Sequence, residues 1–126
     1  MSQSLRTPLG RVRGLGASRE GVGHFIAQRV SAIALVFLVP WFMLSLIGAA
    51  KGGYDGAVEW IGQPLNAVLI LLAVGAGLYH MRLGMQVVIE DYLARPLTKN
   101  FKLIASTFLC VFLFAVAAFS VLKIAG

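Results

Sequence analysis

The stretch His80–Tyr92, HMRLGMQVVIEDY, gathers the residues of this chain best suited to chemistry. A histidine, an arginine and a glutamine stand in a run that is otherwise apolar from Leu65 onward, and the run closes on Glu90, Asp91 and Tyr92. Ionisable groups at membrane depth are costly and usually mark a site. A neutral imidazole in hydrocarbon needs a partner for both nitrogens, or a metal on one and a hydrogen bond on the other. A single histidine cannot hold a structural zinc, but it can be one axial ligand of a haem iron whose other ligand comes from a second chain. From residue type alone, a structural hydrogen bond to a neighbouring helix is the plainer account of His80. Arg82 is a buried cation that must find an anion, such as a haem propionate, or reach the headgroups. At the far end, the Tyr92 phenol can donate a hydrogen bond to a quinone carbonyl, and a neighbouring carboxylate can relay the protons that quinone reduction consumes. A solvated helix end with an interfacial tyrosine is the alternative there.

Those side chains need a helix to hold them. At about 100° per residue, His80, Gly84, Val87 and Asp91 share one stripe and Tyr92 is displaced by about 120°. At about 1.5 Å per residue, His80 and Tyr92 lie about 18 Å apart, so the histidine stands near mid-membrane while Asp91 and Tyr92 reach the interface. Gly84, one turn beyond the histidine, leaves room for a flat ligand, with Gly75 and Gly77 in the turns before it. Tight helix packing is a competing reason for all three glycines.

A membrane is implied by the composition. Of 126 residues, 59% are apolar and only 13% charged, with mean hydropathy +0.85, far from the charged content of about 25% in a soluble domain. So short a chain offers little interior of its own, which predicts a subunit with partner chains rather than an independent enzyme. The net charge of +6 does not signal nucleic acid, because the basic residues gather at the ends of apolar spans with no base-reading module. Cys110, the sole cysteine, lies in an apolar run and reads as a small hydrophobe.

The pattern predicts an all-α membrane protein with three transmembrane helices, at about 29–50, 64–91 and 102–123. Residues 1–28 read as a basic cytoplasmic tail and 29–126 as a three-helix anchor domain. The tail carries Arg6, Arg11, Arg13 and Arg19 against Glu20 alone, which suits anionic headgroups. Its Arg-rich character also fits a mitochondrial transit peptide, though a retained tail is favoured. His24 reads as an interfacial polar residue, and Arg29, at the start of span one, as either a snorkelling cation or the partner of an anionic ligand. Pro40 should bend span one. Lys51–Gln63 reads as an external loop with Tyr54 and Trp60 in the interfacial belt. Pro64 suits the first turn of span two, and Ala94–Asn100 reads as a short turn. Eight basic residues (Arg6, Arg11, Arg13, Arg19, Arg29, Arg95, Lys99, Lys102) flank one side and two (Lys51, Lys123) the other, so the N-terminus and Tyr92 are expected in the cytoplasm and the C-terminus outside, in the periplasm.

HMRLGMQVVIEDY, together with HFIAQRVSAIAL at the start of span one, resembles the hydrophobic membrane-anchor (D) subunit of succinate dehydrogenase. The most specific part is a histidine followed after twelve residues by the tyrosine of an Asp-Tyr pair. The resemblance implies a bundle with a second, cytochrome b-type anchor subunit, which carries iron–sulfur and flavoprotein subunits. It implies His80 as an axial ligand of a shared haem b, Arg29 and Arg82 near the haem propionates, and Tyr92 with Asp91 at a ubiquinone site. It further implies an inner membrane, and the compact tail favours a bacterial over a mitochondrial one. A haem-free structural scaffold, in which His80 and Arg82 bond neighbouring helices, is the competing reading. A small channel subunit ranks below both, since spans one and three lack matching charged positions.

Overall fold

Within hydrocarbon a chain must satisfy its own backbone N–H and C=O groups, and the three apolar runs do so as long helices. The computed structural model describes residues 5, 7–14 and 20–126, in which the elements are α1 (Pro8–Arg13), α2 (Glu20–Ala50), α3 (Gly53–Gly62), α4 (Pro64–Tyr92) and α5 (Pro96–Ala125), with no strand among the described residues. Arg6 and Arg19 of the basic tail lie outside the described residues. Helices α2, α4 and α5 are each long and apolar enough to cross a membrane. The 29 residues of α4 span about 43 Å, more than the hydrocarbon thickness of about 30 Å, so its ends reach the headgroups.

Span two has the expected extent, and the other elements differ from the sequence reading in four places. Helix α2 begins at Glu20 rather than near 29, so the boundary drawn between tail and anchor falls inside one continuous helix that carries His24, Arg29 and Pro40. The tail also holds α1, capped where the Gly10 N–H donates to Thr7 Oγ1 at 3.0 Å and ended by Gly14 at φ 55°. Helix α5 starts at Pro96, not near 102. Proline fits the first helical turn, where no N–H is needed, and the turn shrinks to Leu93–Arg95. The external loop is itself largely helical, as α3. Its glycines signalled turns, but its aromatic and aliphatic residues have a surface to pack on.

That surface explains the architecture. Helix α4 lies between α2 and α5 and packs against both, α2 and α5 do not touch, and α3 contacts all three long helices at one end of the layer. There the core forms: Ala67, Ile70 and Val121 are buried, with Trp41, Phe42 and Trp60 packed on them. The Trp60 ring centroid lies 5.9 Å from Trp41 and 6.0 Å from Phe42, tilted in both cases, the arrangement aromatic quadrupoles favour. Asn66 Nδ2 donates to the Trp60 carbonyl at 2.9 Å and to Gln63 Oε1 at 3.2 Å, fixing the corner between α3 and α4. Elsewhere the layer is one helix thick, and large side chains such as Phe37, Phe108 and Phe112 face outward, as a lipid- or partner-covered surface requires.

The α2–α3 corner depends on glycine. Gly53 has φ 66°, and a Cβ on Gly56 would stand 2.8 Å from the Ala49 carbonyl oxygen, a backbone atom that cannot swing away. A Cβ on Gly84 would meet nothing within 4 Å. Gly56→Ala is therefore expected to destabilise the detergent-solubilised protein by about 1–3 kcal/mol, while Gly84→Ala is neutral for packing within this chain. Thermal unfolding of the two variants side by side checks the contrast, and equal Tm values would contradict it.

Candidate functional site

Antiparallel packing of α2 on α4 sets the register that places His80. Ser31 Oγ lies 2.9 Å from His80 Nδ1, and one turn further along, a Cβ on Gly77 would meet Leu35 Cδ2 at 3.8 Å. Ser31 is the buried polar residue of the described chain, 6% exposed. Its Oγ also lies 3.0 Å from the Gln28 carbonyl oxygen. Two oxygens at that separation need a proton between them, so the hydroxyl donates to Gln28. A hydroxyl has one proton to give, so toward the imidazole it can only accept, and Nδ1 carries the hydrogen. Nε2 is then left with a free lone pair. It makes no hydrogen bond to the described residues, and it is not among the enclosed, unsatisfied atoms.

His80 borders two adjoining clefts along the α2–α4 seam. One, of about 310 Å³, is walled by Phe25, Gln28, Arg29 and Ala32, and the other, of about 470 Å³, by Leu35, Val36, Val39 and Pro40. The Arg29 guanidinium sits over the Phe25 ring, 5.1 Å from its centroid, a cation–π contact that leaves its N–H groups available. Sequence-predicted His80 and Arg29 thus share a cleft. Gly84 adds open space one turn below, whereas Gly75 serves packing, since a Cβ there would meet the Phe114 ring at 3.2 Å.

Tyr92 is 83% exposed at the end of α4. It opens an almost wholly apolar groove of about 540 Å³ between α4 and α5, lined by Met85, Val88, Leu109 and Cys110, with Lys102 also on its wall. On the wheel of α4, Val88, Met81 and Tyr92 fall about 80°, 100° and 120° from His80, which puts this groove and the His80 clefts on one face of the layer. Asp91 is exposed beside Tyr92. Glu90 is engaged elsewhere, its Oε1 accepting from Gln86 Nε2 at 2.9 Å.

Arg82 is not brought to that face. Two residues beyond His80 it points about 200° away, where its Nε donates to Thr107 Oγ1 at 2.9 Å and the Thr107 hydroxyl donates to the Leu103 carbonyl at 2.9 Å. It lines a separate cleft with Leu103, Ile104 and Phe108. Sequence reasoning overlooked Ser31, which is joined to His80 only by the register of α2 on α4. His24, read as interfacial, has its Nε2 enclosed with no hydrogen-bond partner among the described residues.

Among the described residues no three His, Cys, Asp or Glu side chains converge to hold a metal ion. The donor set fits one half of a haem site: a nitrogen ligand with its tautomer fixed, a cation on the same cleft, and apolar walls.

Comparison with known proteins gives a consistent result. The sequence profile of the succinate dehydrogenase/fumarate reductase transmembrane subunit family matches residues 3–122. The succinate dehydrogenase hydrophobic membrane anchor subunit of Rickettsia bellii (strain RML369-C) is 31% identical over 122 residues, 94% of this chain and 98% of that protein. Its Paracoccus denitrificans counterpart is 35% identical over 86 residues, 68% of this chain and 67% of that protein, and that of Rickettsia felis (strain ATCC VR-1525 / URRWXCal2) is 32% identical over 106 residues, covering 83% and 86%. No solved structure matches the chain significantly.

The bond between Arg82 and Thr107 is expected to contribute about 0.6–2 kcal/mol of coupling between α4 and α5, the usual scale of a polar contact between membrane helices. A double-mutant cycle with Arg82→Leu and Thr107→Val, read by unfolding in detergent, measures it, and strictly additive effects would show that the contact contributes nothing.

Proposed function

The chain belongs to the succinate dehydrogenase/fumarate reductase transmembrane subunit family, and from that premise we propose that it anchors a succinate:ubiquinone oxidoreductase in the bacterial inner membrane, co-ligating haem b and helping to form the ubiquinone-reduction site. The partners are a second, cytochrome b-type anchor subunit, an iron–sulfur subunit and a flavoprotein subunit. The observation that carries this reading is His80, with Nδ1 held by Ser31, Nε2 unengaged, and Arg29 on the same cleft.

Each residue has a task that follows from its surroundings. His80 offers a nitrogen lone pair toward the clefts, and because this chain supplies one such ligand the other comes from the second anchor. Arg29, at the headgroup end of the same cleft, pairs with carboxylates such as haem propionates. Arg82, committed to Thr107, holds α5 to α4 instead. A haem bound here supplies a one-electron carrier within the membrane. The Tyr92 hydroxyl donates to a quinone carbonyl, and Asp91 beside it passes protons from the aqueous side. The positive-inside balance favours a cytoplasmic position for that end of α4, with the soluble subunits on the same side and the C-terminus in the periplasm. Bacterial relatives in Rickettsia and Paracoccus support the inner membrane. Succinate oxidation itself belongs to the partner subunits.

Replacement of His80 by alanine in the assembled complex is expected to abolish the axial-ligand signature in the reduced haem spectrum, and an unchanged signature would return the chain to a haem-free anchor. Tyr92→Phe is expected to lower quinone reduction about tenfold, the scale of one lost hydrogen bond. Succinate oxidation by an artificial acceptor should survive, and equal loss of both activities would identify an assembly defect instead.

A further inference from the structure

We propose that Ser31 is a positioning residue for the metal-ligating nitrogen of His80, setting both its tautomer and its strength as an electron donor. The inference rests on the reading of His80 as an axial ligand. A metal-bound imidazole has one nitrogen left over, and what that nitrogen meets decides the ring's orientation and basicity. Here it meets Ser31 Oγ at 2.9 Å, on a residue 6% exposed.

The direction of the Ser31 hydroxyl is the decisive detail. Because it donates to the Gln28 carbonyl at 3.0 Å, it presents a lone pair to His80, and the chain from Nδ1–H through Oγ–H to the carbonyl is polarised in one sense throughout. That polarisation draws the Nδ1 proton outward and enriches Nε2 in electron density, so a metal on Nε2 is favoured in its more oxidised state. A hydroxyl pointing the other way would have put the hydrogen on Nε2 and blocked ligation. The Gln28 carbonyl belongs to α2, so the ring is also held at a fixed angle across the α2–α4 seam. No other described side chain bonds the His80 ring, so among the described residues its loss has no substitute.

The test uses the assembled complex with Ser31→Ala and Ser31→Thr. Alanine removes the acceptor without adding bulk, and threonine restores a hydroxyl that can make the same backward bond to the carbonyl at i−3. Ser31→Ala is expected to raise the midpoint potential of the haem, to alter the g-values of its oxidised form in electron paramagnetic resonance, and to weaken haem retention about tenfold. Ser31→Thr is expected to return all three toward the parent values. Parent-like potential and g-values in Ser31→Ala would overturn the inference, as would failure of Ser31→Thr to restore them. The His80→Ala spectrum separates the two levels. If it shows ligation lost while Ser31→Ala changes nothing, only the role of Ser31 falls; if it is unchanged, the ligand reading falls first.

Discussion

An imidazole placed in hydrocarbon must have both nitrogens accounted for, and this requirement organises the chain. The unsatisfied alternative costs several kcal/mol. His80 stands near the middle of α4, where Ser31 satisfies Nδ1 and nothing in the described chain satisfies Nε2. An incomplete histidine is tolerable only if another component completes it. The single-layer arrangement has the same character, since three helices with α4 in the middle leave an open face on each side. Membership of the transmembrane-subunit family implies the other subunits of a complex, which could cover those faces.

The remainder of the fold can be understood as what keeps the Ser31–His80 pair in register. At one end, α3 with Trp60 against Trp41 and Phe42 clamps the layer. On the far side of α4, Arg82 on Thr107 and Gly75 on Phe114 fix its rotation relative to α5. With α4 held on one side by α5 and on the other by α2, His80, Met81, Val88 and Tyr92 have one face to present. Arg29 shares the cleft of His80, whereas Tyr92 lies about 18 Å from His80 along the axis, at the end of α4. The two sites proposed at His80 and at Tyr92 therefore share a single helix, α4.

Much of this was legible in the residues. Uncharged runs of membrane length require helices whatever surrounds them, so the three spans emerged from length and composition alone. Span two was located almost to the residue because Pro64 opens it and Pro96 forbids its continuation. Spans one and three extend beyond their apolar runs because helical hydrogen bonding continues into the headgroup region, where charges such as Arg29 and Lys99 cost little. Helix α3 was missed since Gly52, Gly53 and Gly56 are turn-formers by local preference, and only contact with α2, α4 and α5 makes the intervening residues helical. At the site, residue type and spacing singled out His80, Asp91, Tyr92 and Arg29. The partner of His80 was invisible, because serine 49 positions away in sequence is joined to it only by helix register. Arg82 was offered to a haem propionate on its nearness in sequence to His80, but two residues on a helix turn it about 200° from that side chain, onto Thr107.

A density map of the membrane-embedded complex at side-chain resolution would examine the central claim most directly. His80 Nε2 is expected to be bound to a haem iron whose opposite ligand comes from the second anchor subunit, with Nδ1 still on Ser31. An imidazole directed into acyl chains, with no prosthetic group and no neighbouring anchor helix within reach, would contradict it.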